Sequence, residues 1–202
     1  MSSFDPQSYT PGRAIVFGSV VFELTDAAEP VEELSWWHRI WEREDDLLKG
    51  FSLFSLLFAE NPSDVYVVQA VPNVVSPFVV SLPPGLYKPN WLNVEIDYQL
   101  WRAPIEGLAF RAEADRATYV GRVVFQVPRV VKRNVPVRFE LLNAEEHDRA
   151  ALAKYLSSIQ VPFDKRLMGE GAGTTTWTGS RSTAPAPATP IVVTVPNQRS
   201  GC

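Results

Sequence analysis

The stretch Trp91-Leu92-Asn93-Val94-Glu95-Ile96-Asp97-Tyr98-Gln99-Leu100-Trp101 alternates without a break: Leu92, Val94, Ile96, Tyr98 and Leu100 are apolar, and Asn93, Glu95, Asp97 and Gln99 between them are polar. A strand turns successive side chains to opposite faces, so the pattern predicts β-structure with one face in a core and the other in water. In that register Trp91 and Trp101 fall on the outer, polar face. The same period runs through Phe110, Ala112 and Ala114, set against Arg111, Glu113 and Asp115. It recurs in Val135, Val137, Phe139 and Leu141, where Pro136, lacking a donor, predicts an edge strand. β-Branched runs at 65–71 and 77–82, bounded by proline, add further strands.

Residues 13–25 differ in being apolar on both faces for most of their length, which predicts a strand covered on both sides. The segment Ala14-Ile-Val-Phe-Gly-Ser-Val-Val-Phe-Glu-Leu24 also aligns without gaps on Ala117-Thr-Tyr-Val-Gly-Arg-Val-Val-Phe-Gln-Val127. Two readings stay open: neighbouring strands with Gly18 and Gly121 at a bulge or close backbone approach, or the ordinary likeness of Val-rich strands.

A helix is predicted over 143–159, with Asn143 as cap, Glu146 as its capping-box partner, and an apolar stripe of Leu152, Tyr155, Leu156 and Ile159. Residues 34–48 read either as a helix face of Leu34, Trp37, Trp41 and Leu48 or as an aromatic strand and loop. In 169–190 every residue except Glu170, Trp177 and Arg181 is Gly, Ala, Ser, Thr or Pro. Such a tract cannot bury enough apolar surface to offset its ordering entropy, so by itself it predicts an extended tail. Beyond it, Ile191, Val193 and Val195 form a β-branched run suited to docking on a sheet edge or a partner.

The expected architecture is therefore mainly β: an antiparallel β-sandwich of seven or eight strands at 1–168, with one late α-helix, followed by a low-complexity tail at 169–202. Composition narrows the function classes. With 19 basic against 23 acidic residues the chain has no cationic field for phosphates, which argues against nucleic acid. Its one cysteine, Cys202, allows no intramolecular disulfide and no cysteine-based zinc site. No signal-peptide pattern opens the sequence, and the most apolar window, 51–59, is too short to span a bilayer.

The block Leu82-Pro83-Pro84-Gly85-Leu86-Tyr87 suits a type II turn, predicting a hairpin between 78–82 and the residues from Leu86 onward. The pattern Phe78-Val-Val-Ser-Leu-Pro-Pro-Gly-Leu-Tyr87 resembles the strand–turn–strand of prealbumin-like, carboxypeptidase-regulatory-like β-sandwiches. It is also similar to bacterial envelope lipoprotein domains in which such a block precedes a strand like Thr118-Tyr-Val-Gly-Arg-Val123. The resemblance implies a binding, anchoring or structural module and favours the cell envelope or the periphery of a membrane complex. The lipobox cysteine of a lipoprotein has no counterpart at the start of this sequence.

Trp36-Trp37-His38-Arg39-Ile40-Trp41 is the densest functional signal, since neither a strand nor a helix can turn all three indoles into one core. Core packing, a protein-partner surface, and a lipid or sugar contact are its three readings. Catalytic signatures are thin: the two histidines, His38 and His147, have no ligand spacing to each other, and no nucleophile elbow, phosphate loop or dinucleotide fingerprint occurs. The sequence therefore predicts a non-enzymatic structural or protein-interaction module without cofactor or metal. It would be an accessory subunit of a larger assembly, with peripheral membrane association left open. Its expected contacts are Trp36, Trp37, Trp41, Trp91, Trp101, Trp177, Ile191, Val193 and Val195. The alternative is an envelope sandwich that binds carbohydrate or another small ligand through exposed tryptophans.

Overall fold

A computed structural model of the chain describes residues 10–25, 52–58, 61–70, 73–96, 99–128, 136–169, 172–176, 178–180 and 191–193. The strands are β1 (Ala14–Thr25), β2 (Ser52–Phe58), β3 (Asn61–Ala70), β4 (Ser76–Leu82), β5 (Gly85–Ile96), β6 (Gln99–Pro104), β7 (Phe110–Ala112), β8 (Ala117–Pro128), β9 (Pro136–Leu142), β10 (Phe163–Lys165), β11 (Ala172–Thr176), β12 (Thr178–Ser180) and β13 (Ile191–Val193). Two short helices, α1 (Glu145–Ala151) and α2 (Ala153–Leu156), follow β9. The fold is mainly β, as expected. Among the described residues nine strands have five residues or more, slightly above the seven or eight anticipated, and four have three.

The strands form two sheets. The first runs β11-β9-β8-β1-β4 with β10 also on β8, and the second runs β12-β6-β5-β2-β3-β13 with β7 also on β5. Most pairings are antiparallel, but β1–β8, β10–β8 and β13–β3 are parallel. One apolar core lies between the sheets: Val16, Phe22, Phe78, Val123 and Phe125 of the first meet Tyr66, Tyr87, Leu92 and Phe110 of the second. A second cluster covers the other face of the first sheet. There Ile15, Phe17, Val79, Ala117 and Tyr119 meet Leu152 and Leu156 from the helices, flanked by Tyr155 and Ile159. The predicted helical stripe is thus the one that docks, and β1 is apolar on both faces because both faces are covered.

β1 and β8 are neighbours, and their register slips at the glycines. Phe17 pairs with Tyr119 and Ser19 with Arg122, so Gly18 stands opposite two residues, Val120 and Gly121. Gly121, at φ +105°, is the bulge residue on β8. Before the bulge β8 pairs with β10, and beyond it with β9.

Three local expectations change. The Leu82–Tyr87 block does not turn a hairpin within one sheet; it carries the chain from β4 in the first sheet to β5 in the second. The wholly buried Tyr87 stacks on Phe110 at 5.4 Å and donates its hydroxyl to the Pro83 carbonyl at 2.8 Å, pinning the crossing from inside. Tyr87→Phe is expected to lower stability by about 1 kcal/mol in urea denaturation, the net value of a hydrogen bond whose acceptor stays behind; an unchanged midpoint would remove this bond from the account of the crossing. Second, β9 is not an edge, because β11 pairs with it on the side away from β8. Pro136 is tolerated because it is the first residue of β9, and the described β8 pairing begins only at Arg138. Third, the single helix expected over 143–159 is two pieces broken at Leu152, and the N-cap is Ala144 with no side-chain cap.

The tail is not wholly outside the sandwich. β11, β12 and β13 come from the stretch after 168 and occupy sheet edges, with β13 placing Ile191–Val193 on β3. β11 closes the first sheet and β12, one residue later, closes the second on β6, so the tail crosses from one sheet to the other along one side of the sandwich. Gly173 in β11 lies opposite Phe139, whose ring occupies the space a Cβ would take. A glycine that looks like low complexity is here the seat of an aromatic ring.

Candidate functional site

The densest polar constellation lies where α1 meets the first sheet, and it follows from the bulge. Residues three apart on a regular strand face opposite ways. The extra residue at Gly121 instead puts Tyr119 and Arg122 on the same, helix-covered face of β8, and Ser19 of the adjacent β1 stands beside Arg122 in register. α1 inserts Asp148, whose side chain is fully buried, between them.

Each acceptor on Asp148 is filled. Ser19 Oγ donates to Oδ2 at 2.8 Å and the Tyr119 hydroxyl to the same oxygen at 3.0 Å, while the Arg122 guanidinium pairs with Oδ1. Arg122 Nε also donates to Ser19 Oγ at 2.9 Å, and its terminal nitrogen lies 3.0 Å from His147 Nδ1. The Ala144 N–H donates to the Tyr119 hydroxyl at 3.0 Å. The N–H at the helix start is therefore satisfied by a tyrosine from the sheet. Burial pushes the Tyr119 hydroxyl above its ordinary value; the Ala144 bond opposes this and the Asp148 charge adds to it. The hydroxyl thus remains a donor through neutral pH. Its contribution is complete below the usual tyrosine value of about 10 and is lost only as pH rises through the raised one.

Around this buried group lies an exposed charged rim. Glu145 pairs with Arg149 and Lys165 at 3.3 Å each, Arg149 sits 4.6 Å over the Phe163 ring, and Arg166 bonds both Glu113 and Asp164. Exposed pairs of this kind add little stability one by one. They link α1 to β10, and Arg166, just after β10, to the β7–β8 turn.

The predicted contact residues divide. Trp36, Trp37, Trp41, Trp177 and Val195 lie outside the described residues. Ile191 and Val193 are in β13. Trp91 is half-buried and lies on the face of β5 away from Leu92, which is in the core. Trp101 corrects the expectation, because it packs against the core and not outward. The eleven-residue alternation falls on two paired strands, β5 to Ile96 and β6 from Gln99, whose register sets Ala103 opposite Leu92 and Trp101 opposite Val94, so Trp101 shares the face of Leu92. Trp91 and Trp101 accordingly do not share an outer face, and these two indoles form no common platform.

No family model, curated protein or solved structure matches the chain. Function has to be argued from the geometry alone. Among the described residues, no three His, Cys, Asp or Glu side chains gather as a metal group, and no helix is long and apolar enough to cross a membrane. Two shallow depressions of about 280 and 310 Å³ flank β11 and share Phe139, Gly173 and Thr174 as lining. Sequence reading missed the Asp148 network, since its members are scattered from 19 to 148. The one available signal was the pair of aligned glycines, which marks the bulge that brings Tyr119 and Arg122 to one face.

Proposed function

We propose that the chain is a non-catalytic structural or protein-interaction module, an accessory subunit that engages another chain through its sheet edges and tryptophan-rich segment. The observation that carries this reading is the way the sandwich completes its own edges with short strands from a low-complexity tail, two along one side and one on the other. Strand addition to an edge is a common means of protein recognition, because main-chain hydrogen bonds supply affinity whatever the side chains. The Asp148 network supports the same reading: its serine, tyrosine, arginine and carboxylate groups are engaged with one another in holding α1 on the sheet. The likeness of residues 78–87 to prealbumin-like sandwiches points the same way.

The test is affinity purification of the tagged full chain from its native cell, with mass spectrometry of soluble and detergent-extracted fractions. A partner in stoichiometric amount is expected, falling at least tenfold when Trp36, Trp37 and Trp41 are all replaced by Ala in a protein that still folds. A wild-type chain that elutes alone from both fractions would sink the proposal.

A further inference from the structure

The two sides of the sandwich are closed unequally. On one, β11 and β12 cover β9 and β6 with five and three register pairs, and only residue 177 separates them. On the other, the first sheet ends at β4 among the described residues, and the second ends in β13, which covers Tyr66, Val67 and Val68 of the ten-residue β3. Those three pairs are all that the described residues place on this edge of β3. The edge is firmly based: Tyr66, Val68 and Ala70 alternate into the core, which sets the direction and register of the strand.

β12 and β13 lie at opposite ends of the second sheet, five strand spacings apart. At ~4.8 Å per spacing that is roughly 24 Å. Ten residues separate Ser180 from Ile191, Pro185, Pro187 and Pro190 among them, and a proline-rich stretch of that length can reach roughly 31 Å. The span is within reach, and the described seat of β13 is its three residue pairs.

We infer that the outer edge of β3 is a strand-accepting site for an extended, β-branched segment of a partner chain, added parallel to β3, and that Ile191–Val193 is its displaceable resident. The inference rests on the interaction-module reading and names the contact. β-Branched residues suit the site because the resident is Ile-Val-Val, and parallel addition follows from the observed register, Ile191 with Tyr66, Val192 with Val67 and Val193 with Val68.

The probe is a synthetic peptide of residues 188–198, titrated against the full chain and against a full-length V192P/V193P variant. Two adjacent prolines remove a donor facing β3 whichever of the two residues points toward it. The peptide is expected to bind the variant at least tenfold more tightly than the wild type, whose site is already occupied. The same peptide with both valines replaced by proline is expected not to bind. Should the double-proline chain fail to fold, a full-length chain with Ile191, Val192 and Val193 all replaced by Gly serves instead, with a two- to fivefold gain, since glycine weakens a strand without removing its donors. Register is read by disulfide trapping in a Cys202→Ser background. A peptide carrying Cys at 192 is expected to couple to Val67→Cys and not to Val65→Cys, since paired residues on adjacent strands lie within disulfide reach. Equal affinity for wild type and folded variant, or trapping without register preference, overturns the inference. Because the assay needs no cellular partner, its failure beside a successful purification would remove the β3 site and leave the module reading in place.

Discussion

Asp148→Ala is expected to lower stability by about 3–5 kcal/mol, the usual cost of removing one member of a buried, hydrogen-bonded ion pair. The loss comes from what stays behind more than from the missing carboxylate. Arg122 keeps a guanidinium with its side chain 15% exposed and no carboxylate partner there, and Ser19 and Tyr119 keep donors that water reaches poorly. The damage should be local at first. α1 and α2 are held on the sheet by Leu152 and Leu156 and, one turn earlier on the same face, by Asp148, so amide exchange over 145–156 should accelerate before that of β1 and β8. Asp148→Asn separates charge from shape: it fills the space but offers no full negative charge to Arg122, and should recover only part of the loss. A triple replacement, Ser19→Ala, Arg122→Leu and Asp148→Leu, should be less harmful than Asp148→Ala alone, because removing all the charges strands none of them. Urea denaturation of the three variants decides the matter. A loss below 1 kcal/mol for Asp148→Ala would show that the network does not anchor the helices.

That network also marks how far the sequence could be read. Period-two alternation made the β-class legible, and the two-sided apolarity of β1 foretold cover on both faces, which the helices supply on one. The stripe Leu152, Tyr155, Leu156 and Ile159 was legible because a helix repeats its face every three to four residues whatever it packs on. The errors fall where a local pattern has two tertiary solutions. Pro-Pro-Gly turns a chain equally well within a sheet or between sheets, and what selects the crossing is the burial of Tyr87 beside Phe110. Unbroken alternation from Trp91 to Trp101 hid the change of strand, because the polarity rhythm continues from β5 into β6 while their register puts Trp101 opposite Val94. Of the tail strands, β11 and β12 escaped notice since their stability lies in the edges they cover: Gly173 has no propensity for a strand but fits the ring of Phe139. Buried polar residues left least trace, because Ser19, Arg122 and Asp148 have ordinary neighbours in sequence and meet only through the fold.

Gly18→Ala is expected to cost about 3 kcal/mol, the upper part of the range for overpacking a tight interior. A Cβ on Gly18 would overlap the Gly121 carbonyl oxygen, and it would also meet Phe78 Cζ at 3.2 Å and Val120 Cγ2 at 3.3 Å. A flexible side-chain tip could swing away; a backbone oxygen in the central β1–β8 seam cannot move without separating the strands. Gly12→Ala provides the contrast. There φ is +85° and nothing lies within 4 Å of the added carbon, so its cost is conformational alone, roughly 1 kcal/mol. At Gly18 the conformation is ordinary and the space is missing; at Gly12 the reverse holds. Because the same bulge puts Tyr119 and Arg122 on one face, Gly18→Ala should also weaken the helix anchor, so that its effect and that of Asp148→Ala fall short of additivity in the double variant. Urea midpoints for the two single glycine variants and the Gly18→Ala/Asp148→Ala pair test both claims. Equal losses at Gly18 and Gly12 would deny the steric role of the seam, and strict additivity with Asp148→Ala would deny that the bulge positions the network.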